Sequence, residues 1–258
     1  MQITLIRHAH YSVESGHLTR EGIREGIGTG LALGNAVQSK VADFWDNKSI
    51  SNGEMLVAKY PLKAPDIILT SSALRAKETG FAVSKQLKEM GIKSEIRYNV
   101  ACLNDLGLFT DGYRPNHHGY ITRKVARRLY RTKPVQETVR LIQRLAKEGK
   151  KHVVIISHQP NIHILLKLLG NESLYHLSGR ESCLPRCGTA YTILSVNPEK
   201  IGKEKYQIQV RHGCFDATDA KKLSALSADH IEWYMPDFVF KSSRLINARK
   251  DKDAHVRE

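Results

Sequence analysis

Two arginine-histidine pairs interrupt this chain, Arg7-His8 in "ITLIRHAH" and Arg211-His212 in "VRHGCF". The first closes an apolar run, Ile3 to Ile6, that must be buried. Two further segments have the same form: "DIILT" leads into "SSALRAKET" with Arg75, and "HVVIIS" ends in Ser157-His158 of "ISHQPNI". In an open α/β sheet the ligand sits beyond the carboxyl ends of the strands. Arg7, His8, Arg75 and His158 are therefore expected on one rim. Two guanidiniums and two imidazoles suit a phosphoryl group, whose transition state spreads negative charge over equatorial oxygens and is catalysed by positioning and matched positive donors. Arginine forks bind such oxygens bidentately and stay charged. Helix N-termini after Ser72 and Gln159 would add backbone N–H groups. No Cys or Ser stands in a nucleophile elbow at a strand end, which leaves histidine. An imidazole among cations resists protonation and keeps its lone pair near neutral pH. His8 is assigned as the nucleophile, forming a phosphohistidine, and His158 as a donor to phosphate oxygen.

The elements that must position these residues are legible from periodicity. The runs at 3–6, 66–70 and 152–157 are continuously apolar, as in strands covered on both faces. Thr19 is placed to cap a helix with Ile23, Ile27 and Leu31 at four-residue spacing, and Gly22, Gly26, Gly30 and Gly34 allow close approach to a neighbour. A second helix runs from about Ser72 to Met90 on a stripe of Ala76, Gly80, Val83, Leu87 and Met90, and Gly91 ends it. A third starts at Pro134, buries Val135, Val139, Ile142 and Ala146, and stops at Gly149. A fourth follows Pro160 with Ile162, Leu165, Leu166 and Leu169 on one side. Segments 189–196 and 206–212 read as an edge hairpin. The fold expected is α/β: a three-layer α/β/α sandwich with a mainly parallel central sheet and an edge hairpin. A single domain is expected over 1–240, with excursions at about 40–64 and 101–134, followed by a polar tail at 241–258.

At this point the residues resemble the histidine phosphatase superfamily, which includes cofactor-dependent phosphoglycerate mutases and many small phosphatases. "LIRHA" is similar to its Arg-His-Gly element, "LTREG" to its Leu-Thr-x-x-Gly helix start, "SSALRAKET" to its Ser-x-Leu-x-Arg-Ala-x-x-Thr element and "ISHQPNI" to its Gly-His-x-x-x-Ile element. The resemblance spans roughly residues 1–212 and implies the same roles for Arg7, His8, Arg75 and His158. It also implies an acid. Asp105 in "CLNDL" occupies the place of the mutase-branch glutamate, where it would protonate the leaving oxygen and then help deprotonate water. Asp111 in "FTDG" is the alternative, and carboxylates beside loop glycines are often only turn residues. Gln159 stands where the acid-phosphatase branch has its acid, which disfavours that branch. Three residues depart from the pattern. Ala9 replaces glycine, which requires that its backbone avoid positive φ; Ser157 replaces glycine before the second histidine; and no asparagine follows His8 as in mutases. Arg211-His212 lacks the accompanying elements and reads as a coincidence on an edge strand.

Around this core, His10, His17, Arg114 and Arg123 are candidates for substrate binding. His117 and His118 belong to the same excursion, and the basic run "ITRKVARRLYRTKP" suits either a second phosphate or a solvated helix face. The 258 residues carry 40 Lys and Arg against 26 Asp and Glu, a formal charge of +14 that concentrates anionic ligands. Four cysteines are few for this length and read as reduced thiols. Cys183 and Cys187 near His176 lack a second pair to complete a zinc site. No metal and no cofactor are expected. Neither a leader-like apolar stretch nor a run long enough to cross a bilayer is visible, so a cytoplasmic protein is expected.

The activity expected is a metal-independent phosphatase acting on a phosphorylated small molecule or phosphoprotein. A cofactor-dependent mutase-like phosphotransferase is the alternative. A noncatalytic binder of phosphorylated ligands or nucleic acid is the third reading, although nucleic acid is not the partner the catalytic set favours.

Overall fold

A computed structural model describes residues 1–39, 42–45, 56–58, 62–106, 128–169, 187–188, 190–193, 196–201 and 209–212. The continuous apolar runs do become strands. β1 (Gln2–Arg7), β4 (Ile67–Thr70), β5 (Glu95–Arg97) and β6 (His152–Ser157) lie side by side and parallel in the order β1-β6-β4-β5. Their register brings Arg7 level with Ser157 and Thr70 level with Ile156. The three strands that carry site residues therefore finish together on one rim.

Beyond β1 the sheet continues antiparallel through β7 (Ala190–Ile193) and β8 (Gln209–His212), then β2 (Ala42–Trp45) and β3 (Leu56–Ala58), giving eight strands among the described residues. The expected hairpin is β7-β8. It is not at the edge, because β2 and β3 extend the sheet past it from a stretch that shows no periodicity. Strands of four and three residues are too short to impose an alternation that sequence can reveal.

Helices cover both faces, as a sheet apolar on both sides requires. On one face, α1 (Arg20–Ser39) and α2 (Leu74–Glu89) enclose Ile6, Ile68, Val154 and Ile156 with Leu33, Val83 and Leu87. On the other, α3 (Lys133–Lys147) and α4 (Gln159–Leu169) enclose Ile3, Leu5, Leu69, Val153 and Ile155 with Val139, Ile142 and Ile162. Each such aliphatic side chain contributes roughly 1.5–3 kcal/mol by leaving water. Leu145, not Ala146, completes the buried stripe of α3, and the side chain of Leu166 lies outside the described set.

Thr19 caps α1 as expected, its hydroxyl oxygen accepting from Gly22 N at 3.1 Å. Gly26, Gly30 and Gly34 face α2 and the turn that ends it, and a Cβ at Gly30 would come within 2.7 Å of Gln86 Cβ; Gly22 instead lies against the loop after β1, where a Cβ would overlap the His10 carbonyl. Helices α2 and α3 end at Gly91 and Gly149, whose φ values of 77° and 82° suit only glycine comfortably. No helix among the described residues is long and apolar enough to cross a membrane.

Candidate active site

The rim of the parallel strands brings five of the expected residues together. His8 and His158 are almost fully buried, at 4% and 1% exposure, with ring centroids 5.3 Å apart. His8 is fixed from both sides: its N–H donates to Ser157 O at 2.9 Å, and its ring Nδ1 lies 2.9 Å from Ala9 O. A carbonyl only accepts, so Nδ1 carries the proton and Nε2 carries the lone pair. Burial, together with the charges of His158, Arg75 and Arg7, lowers the His8 pKa from 6.5 to about 3, although the Ala9 bond pulls the other way.

His158 follows β6 directly. Its Nδ1 accepts from Arg75 Nη2 at 3.1 Å, and its Nε2 lies 2.9 Å from Ser71 Oγ. Burial and then the Arg75 charge lower its pKa to about 4, against the pull of Asp105. Asp105 Oδ2 is 3.8 Å from His158 Nδ1 and 3.9 Å from Arg75 Nη2. Its carboxyl is 43% exposed, which leaves it open to a leaving group or to water.

Sequence reasoning did not find the groups that hold this set in place. Tyr11 packs edge-on to His8 at 5.2 Å, and the Arg75 guanidinium lies over its ring at 4.4 Å. Ala9 N donates to Thr79 Oγ1, which donates in turn to Arg75 O, so α2 is tied to the strand end. Ser157, the residue replacing glycine, donates from Oγ to Leu103 O at 2.6 Å. Asn104 accepts at Oδ1 from Ser72 N and Ser72 Oγ, and its carbonyl accepts from Asn161. These latches hold the segment that presents Asp105. Ala9 is not in the left-handed region; among the described non-glycine residues only Asn99 is.

The other candidates are placed differently. His10 is half exposed and turned toward α1, its N and Nδ1 held by the two carboxylate oxygens of Glu25 at 2.8 and 2.5 Å. His17 bonds to the fully buried Glu78 of α2, which also accepts from Leu18 N at 2.6 Å. Both carboxylates stabilise the loop after His8. Glu78 carried no sequence signal, since it lies across α2 from the stripe of Ala76, Gly80, Val83 and Leu87. His10, Glu21 and Glu25 bring their ligand atoms within 4.8 Å of one another and are the residues here that would hold a metal, but Glu25 already uses both oxygens on His10. Asp111, Arg114, Arg123, His117, His118, His176 and Cys183 lie outside the described residues. Cys187 is described, and burial pushes its thiol up to about 11.

Arg211 and His212 end β8. That strand runs between β7 and β2 rather than along an edge, so the edge-strand expectation is corrected. His212 reaches the level of Ala190 and hence of Ile6, two strands from the site.

No protein-family model and no curated protein matches the chain. Among solved structures, it is similar to the protein histidine phosphatase SixA complexed with tungstate, with 16% identity, a TM-score of 0.43, and coverage of 81% of this chain and 96% of that one. It is similar to the alpha-ribazole phosphatase from Shigella flexneri at 17% identity and a TM-score of 0.40, covering 82% and 95%. It is also similar to TTHB049 from Thermus thermophilus at 16% and 0.37, covering 84% and 100%. The TM-scores are low, and the functional reading rests on the site's own geometry.

Proposed function

We propose that this chain is a phosphatase of the histidine phosphatase type, hydrolysing phosphomonoesters on small molecules or phosphoproteins through a phosphohistidine on His8. The observation that carries the reading is the state of His8: buried, neutral, with Nδ1–H committed to Ala9 O, and Nε2 left as the nucleophilic nitrogen beside a guanidinium-lined rim. In the first step Nε2 forms a bond to phosphorus while the bond to the ester oxygen breaks, and Asp105 gives that oxygen its proton. In the second, water attacks the phosphohistidine, Asp105 takes the water proton, and His8 leaves with its lone pair restored.

Arg75 and Arg7 would neutralise the transferring group, so the step needs no metal ion to balance charge. Arg75 donates to His158 Nδ1. A bound phosphate dianion would draw the Arg75 donors to itself and favour protonation of His158 at that nitrogen, which makes His158 the donor expected from sequence. A cofactor-dependent mutase would share the His8 step, but it would also have to retain its product, and no described residue favours that second requirement.

The test is hydrolysis of p-nitrophenyl phosphate with EDTA present, by the intact protein and by His8→Ala. Turnover that survives EDTA and disappears in the variant supports the proposal. Turnover by both proteins, or by neither, removes it.

A further inference from the structure

Outside the edge strand β5 the chain turns through Tyr98 and Asn99 into a short 3-10 helix, Ala101–Leu103, and leaves an open cavity of about 460 Å³ against α3. Tyr98, Val100, Ala101 and Leu141 supply its apolar wall. Three guanidiniums border it: Arg97, Arg140 and Arg144, against the single carboxylate of Glu137. Arg97 is held in place by Glu95 at 2.9 Å, and Glu95 is itself reached by Lys150 at 3.2 Å. Glu137 is drawn to Lys133, 3.8 Å away. Arg140 and Arg144 sit one turn apart and exposed on α3, with no ion pair among the described residues. The wall is firm, because Val100 N donates to Thr70 O and Thr138 Oγ1 donates to Cys102 O. Asn99 holds a left-handed φ of 61° at its lip, a conformation asparagine tolerates better than most residues.

An open groove of this size, with an apolar wall and arginines at its border, offers one small ligand both an apolar face and positive charge. Nothing in the proposed reaction uses it. We propose that it is a second binding site, for an organic phosphate that places its body against Tyr98 and Leu141 and its dianionic group between Arg140 and Arg144. Such a ligand would rest on the outer side of the segment whose next residues are Asn104 and Asp105. The proposal does not depend on the phosphatase reading.

AMP serves as the probe, titrated calorimetrically into the full chain carrying Arg75→Ala, which weakens the His8 cleft by removing one of its two guanidiniums. Binding is expected to persist there and to weaken by about tenfold or more when Arg140→Ala and Arg144→Ala are added. Ala101→Trp, an exposed residue chosen to fill the cavity without disturbing the core, is expected to do the same, and inorganic phosphate to bind more weakly than AMP. Loss of all AMP binding on Arg75→Ala, or binding indifferent to both the arginine pair and Ala101→Trp, would overturn the site. Turnover of p-nitrophenyl phosphate by the intact protein against His8→Ala tests the cleft without reference to Arg140, Arg144 or Ala101, so either proposal can fail without the other.

Discussion

The two ends of β6 each hold a buried histidine, and they differ in what faces the ring. His152 starts the strand and His158 follows it; both are 1% exposed or less, and burial lowers each pKa to about 4. At His152 both nitrogens are consumed. Nδ1 donates to Lys63 O at 2.6 Å, and Nε2 accepts from Thr4 Oγ1 at 2.7 Å, with Thr192 Oγ1 2.6 Å behind it. At His158 the ring meets a guanidinium, a hydroxyl and, at 3.8 Å, a carboxylate, with the His8 ring across the cleft. A depressed histidine pKa therefore marks burial at both ends. Both ring nitrogens have partners at either end; what sets His158 apart is that its partners include the charged Arg75 guanidinium and that a carboxylate and a second imidazole stand beside it.

That contrast can be broken most forcefully at His8. His8→Ala is expected to lower kcat/KM on the order of 10⁴-fold, the scale of losing a covalent nucleophile, with little change in Tm; an activity loss that follows unfolding would erase the distinction. Arg75→Ala is expected to cost about 10²–10³-fold in kcat, as for a lost transition-state donor, measured by steady-state kinetics. At the other end of the strand, His152→Ala leaves Thr4 Oγ1 and Lys63 O without their partner and opens a void. Chemical denaturation is expected to show a loss of about 3 kcal/mol, while kcat per folded molecule stays within about twofold. A large kcat defect there would make the two ends alike.

The smallest effect is the pH dependence they share. His8, His152 and His158 all have folded pKa values below 6.5, so the unfolded chain binds more protons than the folded one between that value and about 3 to 4. Stability from these groups is complete above pH 6.5 and is lost as pH falls through that window. Thermal unfolding followed by circular dichroism should show Tm level above neutrality and declining below it, with a shallower decline in His152→Ala. The acid limb of kcat/KM should likewise lie near 3 to 4, and a limb at 6.5 would mean that His8 is not the buried neutral base described here.

What was legible in the sequence follows from how local each signal is. Strands β1, β4 and β6 are continuous apolar runs, and Arg7, His8, Arg75 and His158 lie at their ends or within the first helical turn that follows, so topology alone gathers them. Thr19, Gly91 and Gly149 mark helix ends through local backbone chemistry. The supports were not legible because they act across the chain. Glu78 meets His17 from 61 residues away, Ser157 meets Leu103 from 54, and Tyr11 meets Arg75 only after α2 docks. Ser157 shows the limit well: in the sequence it is only a departure from glycine, and in the fold it secures the segment that carries Asp105.

The most direct measurement is to mix the protein with a phosphomonoester labelled in its phosphoryl group, quench in alkali within the first turnover, and map the label. The account predicts a base-stable, acid-labile label on His8 that is absent from His8→Asn. Turnover without labelled protein, or label on any other residue, would contradict it.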